Sequence, residues 1–337
     1  MNTQAKRPSK KLRIAWWNCF DFYHYDPGQV LSSKGQSSRW PSTLLEYQEK
    51  LTRISDALLE AFTIVGEIDV LCMCELTRSA AVDLGKRILP NHTVASLDVL
   101  GKDLHIAMFF PKNDGFFEFQ ESMPIIVPNL SKDSRSMGVL DIKYESKVIR
   151  IISCHWTARM NKGSETLRER AGDHLGMYCY DFIDKDSKNH HVLILGDFND
   201  EPFNTSLERL NTHRHRTRAI SPMHWADHYV KRLHLYNTSW RLMGEKHGHM
   251  IDIRRSDFKD AAGTYYSEVE KKWFHLDHLI VSGNLLKGSA PYVDEDEIHI
   301  ISSEKFLTNG LPIKFHKVKT GYSGLSDHLP ITATISI

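Results

Sequence analysis

The chain has 337 residues, 41% hydrophobic and 25% charged, the composition of an ordinary globular protein with enough apolar material for a sizeable core. Its formal net charge of +1 excludes a uniformly basic or acidic chain, and no apolar run reaches the roughly 18 residues of a membrane-spanning helix. The five cysteines (Cys19, Cys72, Cys74, Cys154 and Cys179) are odd in number and mostly lie in apolar runs, so they read as buried thiols of a reducing, cytoplasmic compartment rather than as a zinc site.

Residues 1–11 read as a basic, flexible tail with no apolar signal core behind it. LRIAWWNCF (12–20) is a β-rich run whose apolar core stops at Asn18. After a loop containing Gly, Ser and Pro, Leu44, Tyr47, Leu51, Ile54, Leu58 and Phe62 recur at spacings of three and four, which predicts an amphipathic helix capped by Ser42 or Thr43. IDVLCMCEL (68–76) is an apolar strand ending near Glu75, and HIAMFF (105–110) and SMGVLDIKY (136–144) are further strands. VIRIISCHW (148–156) ends near His155, and SETLRERAGDHLGMYCYDFI (164–183) is a second helix. It leads to HVLILGDFNDEP (191–202), where a buried strand over 192–196 runs straight into Asp197, Asn199 and Asp200.

Between Arg209 and Arg255 stand ten Lys/Arg, three Asp/Glu and seven of the 19 histidines, a net of +7 that leaves −6 for the rest. Such an excess fits either a polyanionic partner or a solvated insertion over about 209–260. A helix is possible around HWADHYVKRL (224–233), where a second metal site at His224 and His228 is less expected than a solvated face. FHLDHLIVS (274–282) and HLPITATISI (328–337) complete the strands. Early alternation of strands and helices predicts an α/β fold, the strand-rich remainder fits more than one sheet, and no repeat or linker divides residues 12–337.

One pattern recurs along these elements. Apolar strands end at Asn18, Glu75, His155 and Asp197 with Asn199, while Asp277 lies inside HLDHL and Asp327 and His328 open the last strand. One strand-terminal carboxylate is ordinarily the start of a loop, but six such placements read as one assembled site. Carboxylates at the end of a buried strand are costly unless something compensates them. The chain has no P-loop, no G-x-G-x-x-G and no G-x-S-x-G, so a serine elbow is not supported. Carboxylate and amide oxygens without thiolates suit a hard cation, Mg²⁺ or Mn²⁺. Together with two histidines they fit hydrolysis of a phosphoester.

The ordered set WWNCF, DVLCMCEL, ISCHW, LILGDFND, HLDHLIVS and GLSDHLP resembles the endonuclease/exonuclease/phosphatase superfamily, from about Asn18 to the C-terminus. The resemblance implies a four-layer α/β sandwich of two mixed β-sheets flanked by helices, with the motifs converging at one edge. It implies that Glu75 is the principal metal ligand, with Asn18 and Asp327 close to that metal. It further implies that Asp197 positions or activates the attacking water beside Asn199, that His155 contacts the phosphoryl oxygens, and that His328 is a second catalytic histidine oriented by Asp277. The expected mechanism is in-line attack of water on phosphorus, with the formal base, Asp197 or His328, left open.

Relatives of this kind act on DNA, RNA, phosphoinositides or phospholipids, so fold and site do not name the substrate. Arg214, Arg216, Arg218, Lys231 and Arg232 are candidate phosphate contacts, and Trp240 and Tyr265 are candidate substrate contacts or packing residues. Phe20, Phe22, Tyr23, Tyr25 and Trp40 form a loop that either stacks on bases or packs over the sheet edge. The expectation is a nuclease with a nucleic-acid partner. The alternative is a phosphatase or phosphodiesterase for a small phosphorylated metabolite or lipid headgroup, and no membrane-inserting element is expected.

Overall fold

The computed structural model describes residues 10–28, 40–97, 104–112, 115–121, 123–127, 136–160, 162–220, 234–243 and 261–337. In chain order they run β1 (Lys11–Phe22), α1 (Leu44–Val65), β2 (Val70–Leu76), α2 (Arg78–Ile88), β3 (His92–Leu97), β4 (His105–Pro111), β5 (Glu118–Glu121), β6 (Gly138–Tyr144), β7 (Lys147–His155), α3 (Ser164–Lys185) and β8 (His190–Asp197). Then follow α4 (Thr205–Arg209), β9 (Thr212–His213), α5 (Arg216–Ile220), β10 (Leu235–Asn237), β11 (Tyr265–Ser267), β12 (Lys272–Phe274), β13 (Asp277–Ser282), β14 (Tyr292–Ile300), β15 (His316–Val318), β16 (Gly321–Ser323) and β17 (Ile331–Ser336). None of the described helices is long and apolar enough to cross a membrane.

Six strands form one sheet in the order β14-β17-β1-β2-β4-β3, and seven form a second in the order β5-β6-β7-β8-β13-β10-β9. Both are mixed, since β1 runs parallel to β2 and β7 parallel to β8 while β17, β4 and β13 pair antiparallel with their neighbours. Alternate residues of β1 explain the layering. Leu12, Ile14 and Trp16 join Leu140, Ile151, Leu193, Leu279 and Val281 in a core between the sheets. Ala15, Trp17 and Cys19 point the other way and pack with Tyr47, Ile54 and Leu58 of α1 and Leu84 of α2. On the far side, Ile152, Ile194 and Ile280 meet Leu175, Cys179 and Phe182 of α3.

The layers are therefore helix, sheet, sheet, helix. Strands covered on both faces read as nearly continuous apolar runs, which is why 14–17 and 192–195 lack alternation. Each fully buried Leu or Ile in them contributes roughly 1.5–3 kcal/mol.

Boundaries differ in detail from the sequence reading. β1 continues to Phe22, and the expected strand 274–282 divides, so that Asp277 opens β13 rather than lying inside a strand. Thr43 is the cap of α1, its Oγ1 accepting from the Glu46 N–H at 3.1 Å. All five cysteines are free and buried. The helix expected near 224–233, His224 and His228, and Lys231 and Arg232 lie outside the described residues.

Candidate active site

Strand register assembles the polar strand ends. In the second sheet β7 runs parallel to β8 with His155 opposite Asp197, and β13 runs antiparallel to β8 with Asp277 opposite Asp197. Neighbouring strands lie about 4.8 Å apart and opposed residues share a face, so these three side chains stand in a row. Gly196 permits this approach, because a Cβ there would lie 2.2 Å from the Cys154 carbonyl oxygen of β7. In the first sheet Asn18 lies opposite Cys74, one residue before Glu75. The chain between β16 and β17 brings Asp327 and His328 to the same end.

The side chains meet there. Asn18, 2% exposed, donates through Nδ2 to Glu75 Oε1 at 3.3 Å and to Asp197 Oδ2 at 3.0 Å. His155 Nε2 lies 3.5 Å from Glu75 Oε1 and 3.7 Å from Asp197 Oδ2. His328 Nδ1 is 2.8 Å from Asp277 Oδ2, and its Nε2 faces Asp197 Oδ2 at 3.8 Å. Asp277 is wholly buried, and its Oδ1 accepts from Trp16 Nε1 at 2.8 Å, a bond that crosses from one sheet to the other. The Asn199 N–H donates to Asp197 Oδ1 at 2.8 Å, and its side-chain nitrogen donates to the Trp156 carbonyl at 3.0 Å. Asp327 Oδ2 lies 3.2 Å from Lys314 Nζ.

Burial sets the electrostatics. It raises the Asp197 pKa to about 7, with Asp277 adding to the rise while His328 and hydrogen bonds from Asn199 and Asn18 oppose it. Asp327 is likewise raised by burial, against the opposing pull of His328 and Lys314. For His328, burial disfavours the charged ring, but the fields of Asp277 and Asp197 together with the Asp277 hydrogen bond outweigh it and raise the pKa to about 10. At neutral pH the ring is therefore an imidazolium held between two acids.

Four of the eight described non-glycine residues with positive φ lie in the same place. Phe20, Asp21, Glu75 and Asn199 have φ of 52°, 44°, 63° and 54°. Residues other than Gly adopt this left-handed region at a cost of order 1–3 kcal/mol each, so the surrounding contacts must hold them there.

The Asn18 side-chain nitrogen bridges the Glu75 and Asp197 carboxylates while its Oδ1 accepts from the Phe20 N–H at 3.1 Å, and Asp327 lies near enough to Glu75 for their charges to interact; carboxylate oxygens are the kind of donor a hard divalent cation takes. Asp197, Asp277 and His328 also bring potential ligand atoms within 4.8 Å of one another. There, however, His328 Nδ1 and both Asp277 oxygens are engaged in hydrogen bonds, so that trio is an acid–imidazole–acid line.

The remaining predicted residues are placed unequally. Tyr265 forms a β-bridge with His328, with the two rings 4.8 Å apart. Trp240 stands farther out, 6.5 Å from the Phe203 ring and 6.0 Å from the Arg214 guanidinium. Arg216 pairs with Glu295 at 3.1 Å and donates to the Leu286 carbonyl at 2.9 Å. With Arg218 it belongs to α5, whose Ala219 carbonyl abuts Gly283, just past the end of β13 opposite Asp277. Six strand residues separate these ends, roughly 17 Å, so the structure does not bring Arg216 and Arg218 to the cluster.

Asp200 faces away from the cluster, its Oδ2 accepting from Arg168 Nε at 2.7 Å and Ser206 Oγ at 2.6 Å. In the aromatic loop Phe22 and Tyr23 are buried, the first stacked on Tyr47 and the second packed at a tilt against Trp40, while Phe20 lies 4.6 Å beneath the Lys314 ammonium. Trp16, Lys50, Lys314 and Thr264, whose Oγ1 accepts from the Asp277 N–H at 2.9 Å, escaped the sequence reading. Only Lys50 left a signal, because it lies on the apolar stripe of α1, three residues after Tyr47.

A model of the Endonuclease/Exonuclease/phosphatase family matches residues 30–336. No curated protein matches the chain. Similar solved structures include an endonuclease/exonuclease/phosphatase family protein from Bacteroides thetaiotaomicron, at 12% identity over 98% of this chain and 99% of that one, with a TM-score of 0.56. D. rerio TDP2 complexed with a single-strand DNA product matches at 14% identity, 97% and 99% coverage and a TM-score of 0.55. A mannosyl-6-phosphatase from Bacteroides thetaiotaomicron matches at 13% identity, 97% and 100% coverage and a TM-score of 0.55. At these identities the likeness is one of fold.

Proposed function

The chain belongs to the endonuclease/exonuclease/phosphatase family, and from that premise we propose that it is a divalent-metal-dependent phosphodiesterase that cleaves DNA or RNA by in-line attack of water on phosphorus. The observation that carries this reading is the buried line Asp277–His328–Asp197, with 2.8 Å on one side of the imidazole and 3.8 Å on the other.

Asp277 holds His328 by Nδ1, which leaves Nε2–H to face the reacting group. As an imidazolium at neutral pH, His328 donates to and neutralises a phosphoryl oxygen rather than removing a proton. His155, beside Asp197 in the sheet, contacts a phosphoryl oxygen as well. Asp197, with its pKa near neutrality, is then the group that accepts the proton of the attacking water. Asn199 and Asn18 hold its carboxylate in place by hydrogen bonds. Glu75 and Asp327 with Asn18 would hold Mg²⁺ or Mn²⁺, which supplies compensation for charge on the phosphoryl and leaving oxygens.

The substrate preference rests on charge at the rim. Lys314 stands beside Asp327, and Arg159 Nε donates to the Asn199 carbonyl at 2.7 Å. Tyr265, against His328, would contact the nucleotide next to the scissile phosphate. Arg214 with Trp240 would act on a more distant nucleotide, and Arg216 and Arg218 only on a long polyanion. The fold does not choose among substrates, since it is shared with a DNA-product complex and a mannosyl-6-phosphatase. A small phosphoester is the alternative.

Purified protein with Mg²⁺ or Mn²⁺ is expected to cut circular DNA or RNA, and EDTA or Asp197→Ala to abolish cleavage. Intact nucleic acid alongside hydrolysis of a phosphoinositide, sphingomyelin or a nucleotide would keep the site and overturn the substrate.

A further inference from the structure

Beneath the strained Phe20–Asp21 turn lies a cation that the reaction does not use. Lys50, on α1, is 7% exposed. Its Nζ donates to the Phe20 carbonyl and, at 3.1 Å, to the Asp21 carbonyl. It also stands 5.5, 5.9 and 5.3 Å from the ring centroids of Phe20, Phe22 and Phe315. The residue shares the buried stripe of α1 with Tyr47 and Ile54, where an apolar side chain would ordinarily pack. Burying an ammonium there is strongly unfavourable unless carbonyls, rings and acids compensate it. Burial is the larger effect and pulls its pKa below the ordinary lysine value, while Asp21, Glu75 and Asp327 push it back towards the charged form. A methionine would fill the same space without that cost, so the ammonium needs a reason beyond packing.

The turn above it supplies one. Phe20 and Asp21 hold φ of 52° and 44°, a conformation that is costly for the Phe20 side chain though better tolerated by an aspartate. In that conformation two successive carbonyls converge on one ammonium. The Asp21 N–H of the same turn donates to Glu75 Oε2 at 3.1 Å, while Asn18 holds Glu75 Oε1. One carboxylate is thus fixed at both oxygens, and one of the two holds depends on a backbone geometry pinned from below.

We infer that Lys50 is a positioning residue: its ammonium clamps the Phe20–Asp21 turn in its left-handed form, so that the Asp21 N–H orients the Glu75 carboxylate for the divalent cation. The inference rests on the proposed reading of Glu75 as a metal ligand. Lys50 touches neither the carboxylate nor the reacting atoms; it acts through the turn.

The test is equilibrium Mn²⁺ binding, read from the EPR signal of free Mn²⁺, in wild type, Lys50→Met, Lys50→Arg and Glu75→Gln, with melting temperature measured in parallel. Glu75→Gln and Lys50→Met are each expected to weaken Mn²⁺ binding by about ten-fold or more, the range found when a partner orienting a ligand is lost. Lys50→Arg, which keeps a buried cation and its donors, is expected to restore affinity to within about three-fold of wild type. Unchanged binding in Glu75→Gln overturns the assignment of Glu75 and the metal reading with it. Weakened binding in Glu75→Gln with unchanged binding in Lys50→Met overturns the role of Lys50 alone, even if the melting temperature falls. If Lys50→Met does not fold, Lys50→Gln, which offers an amide donor without the charge, takes its place under the same criteria.

Discussion

Two groups of charged side chains stand at opposite ends of β13, and the fold treats them differently. At the Asp277 end, Asn18, His155, Asp197, Asp277, Asp327 and His328 are all buried, and each owes its state to the others. At the Ser282 end, Arg216 is 48% exposed and engaged with Glu295, which Arg241 also grips at 2.9 Å. Here the arginines are half in solvent, although Glu295 between them is only 10% exposed, and pairs with a solvated partner are weak and screened by salt. Buried acids of the first kind shift their pKa values and demand compensation. A local surplus of positive residues is thus a weaker pointer to chemistry than a few acids that have no business being buried.

The comparison breaks most sharply if the buried end proves dispensable. Asp197→Ala and His328→Ala are each expected to lower kcat/KM for the cleaved substrate by about 10³-fold or more with circular dichroism unchanged, in line with losses for groups acting directly on the reaction. Normal activity in both would sink the site.

Asp277→Asn should cost about 10²–10⁴-fold, because the imidazole loses the partner that fixes its orientation and charge. It also carries a stability signature. His328 holds its proton up to about pH 10 in the folded protein, against an ordinary value of 6.5. Its pairing therefore stabilises the fold fully below pH 6.5, fades between 6.5 and 10, and vanishes above. In metal-free protein the difference in Tm between wild type and Asp277→Asn should be largest below pH 6.5 and shrink as the pH rises through 10. A difference that grows with pH would contradict the assignment.

Trp16→Phe removes the Nε1–H donated to Asp277 across the sheets, together with one ring of a buried indole. A loss of about ten-fold in kcat, with little change in KM, is expected if that bond serves to orient the acid. An effect on KM alone would assign it to substrate binding. The smallest effect belongs to the other end of β13. Arg216→Ala should change cleavage of a short oligonucleotide by less than about two-fold and stability by no more than about 1 kcal/mol. A ten-fold loss on that short substrate would show that the far end does hold substrate, and the contrast between the two ends would fail.

Much of the buried end was legible in the linear chain, for one reason. A strand covered on both faces has no use for an acid, so Glu75 and Asp197 at the ends of apolar runs stand out without any structure. Their motif order then carried the family resemblance. Trp16 gave no such signal, because an inward-facing tryptophan looks like core until the Asp277 carboxylate is found against its nitrogen. Lys314 was hidden for a similar reason: a single lysine outside any long strand or helix is unremarkable until its contact with Asp327 is seen.

By itself, then, the sequence determined the apolar strands, the two long helices, the buried thiols and the acids that interrupt the core, since each follows from local periodicity and the cost of burial. Only the tertiary structure decided which of those groups touch. The parallel register of β7 on β8 and the antiparallel register of β13 on β8 put His155 and Asp277 on either side of Asp197. The same packing sent Arg216 and Arg218 to the opposite end of β13, where Arg216 meets Glu295. Contacts between residues distant in sequence depend on how strands pair and layers stack, and a count of charges along the chain contains no information about either.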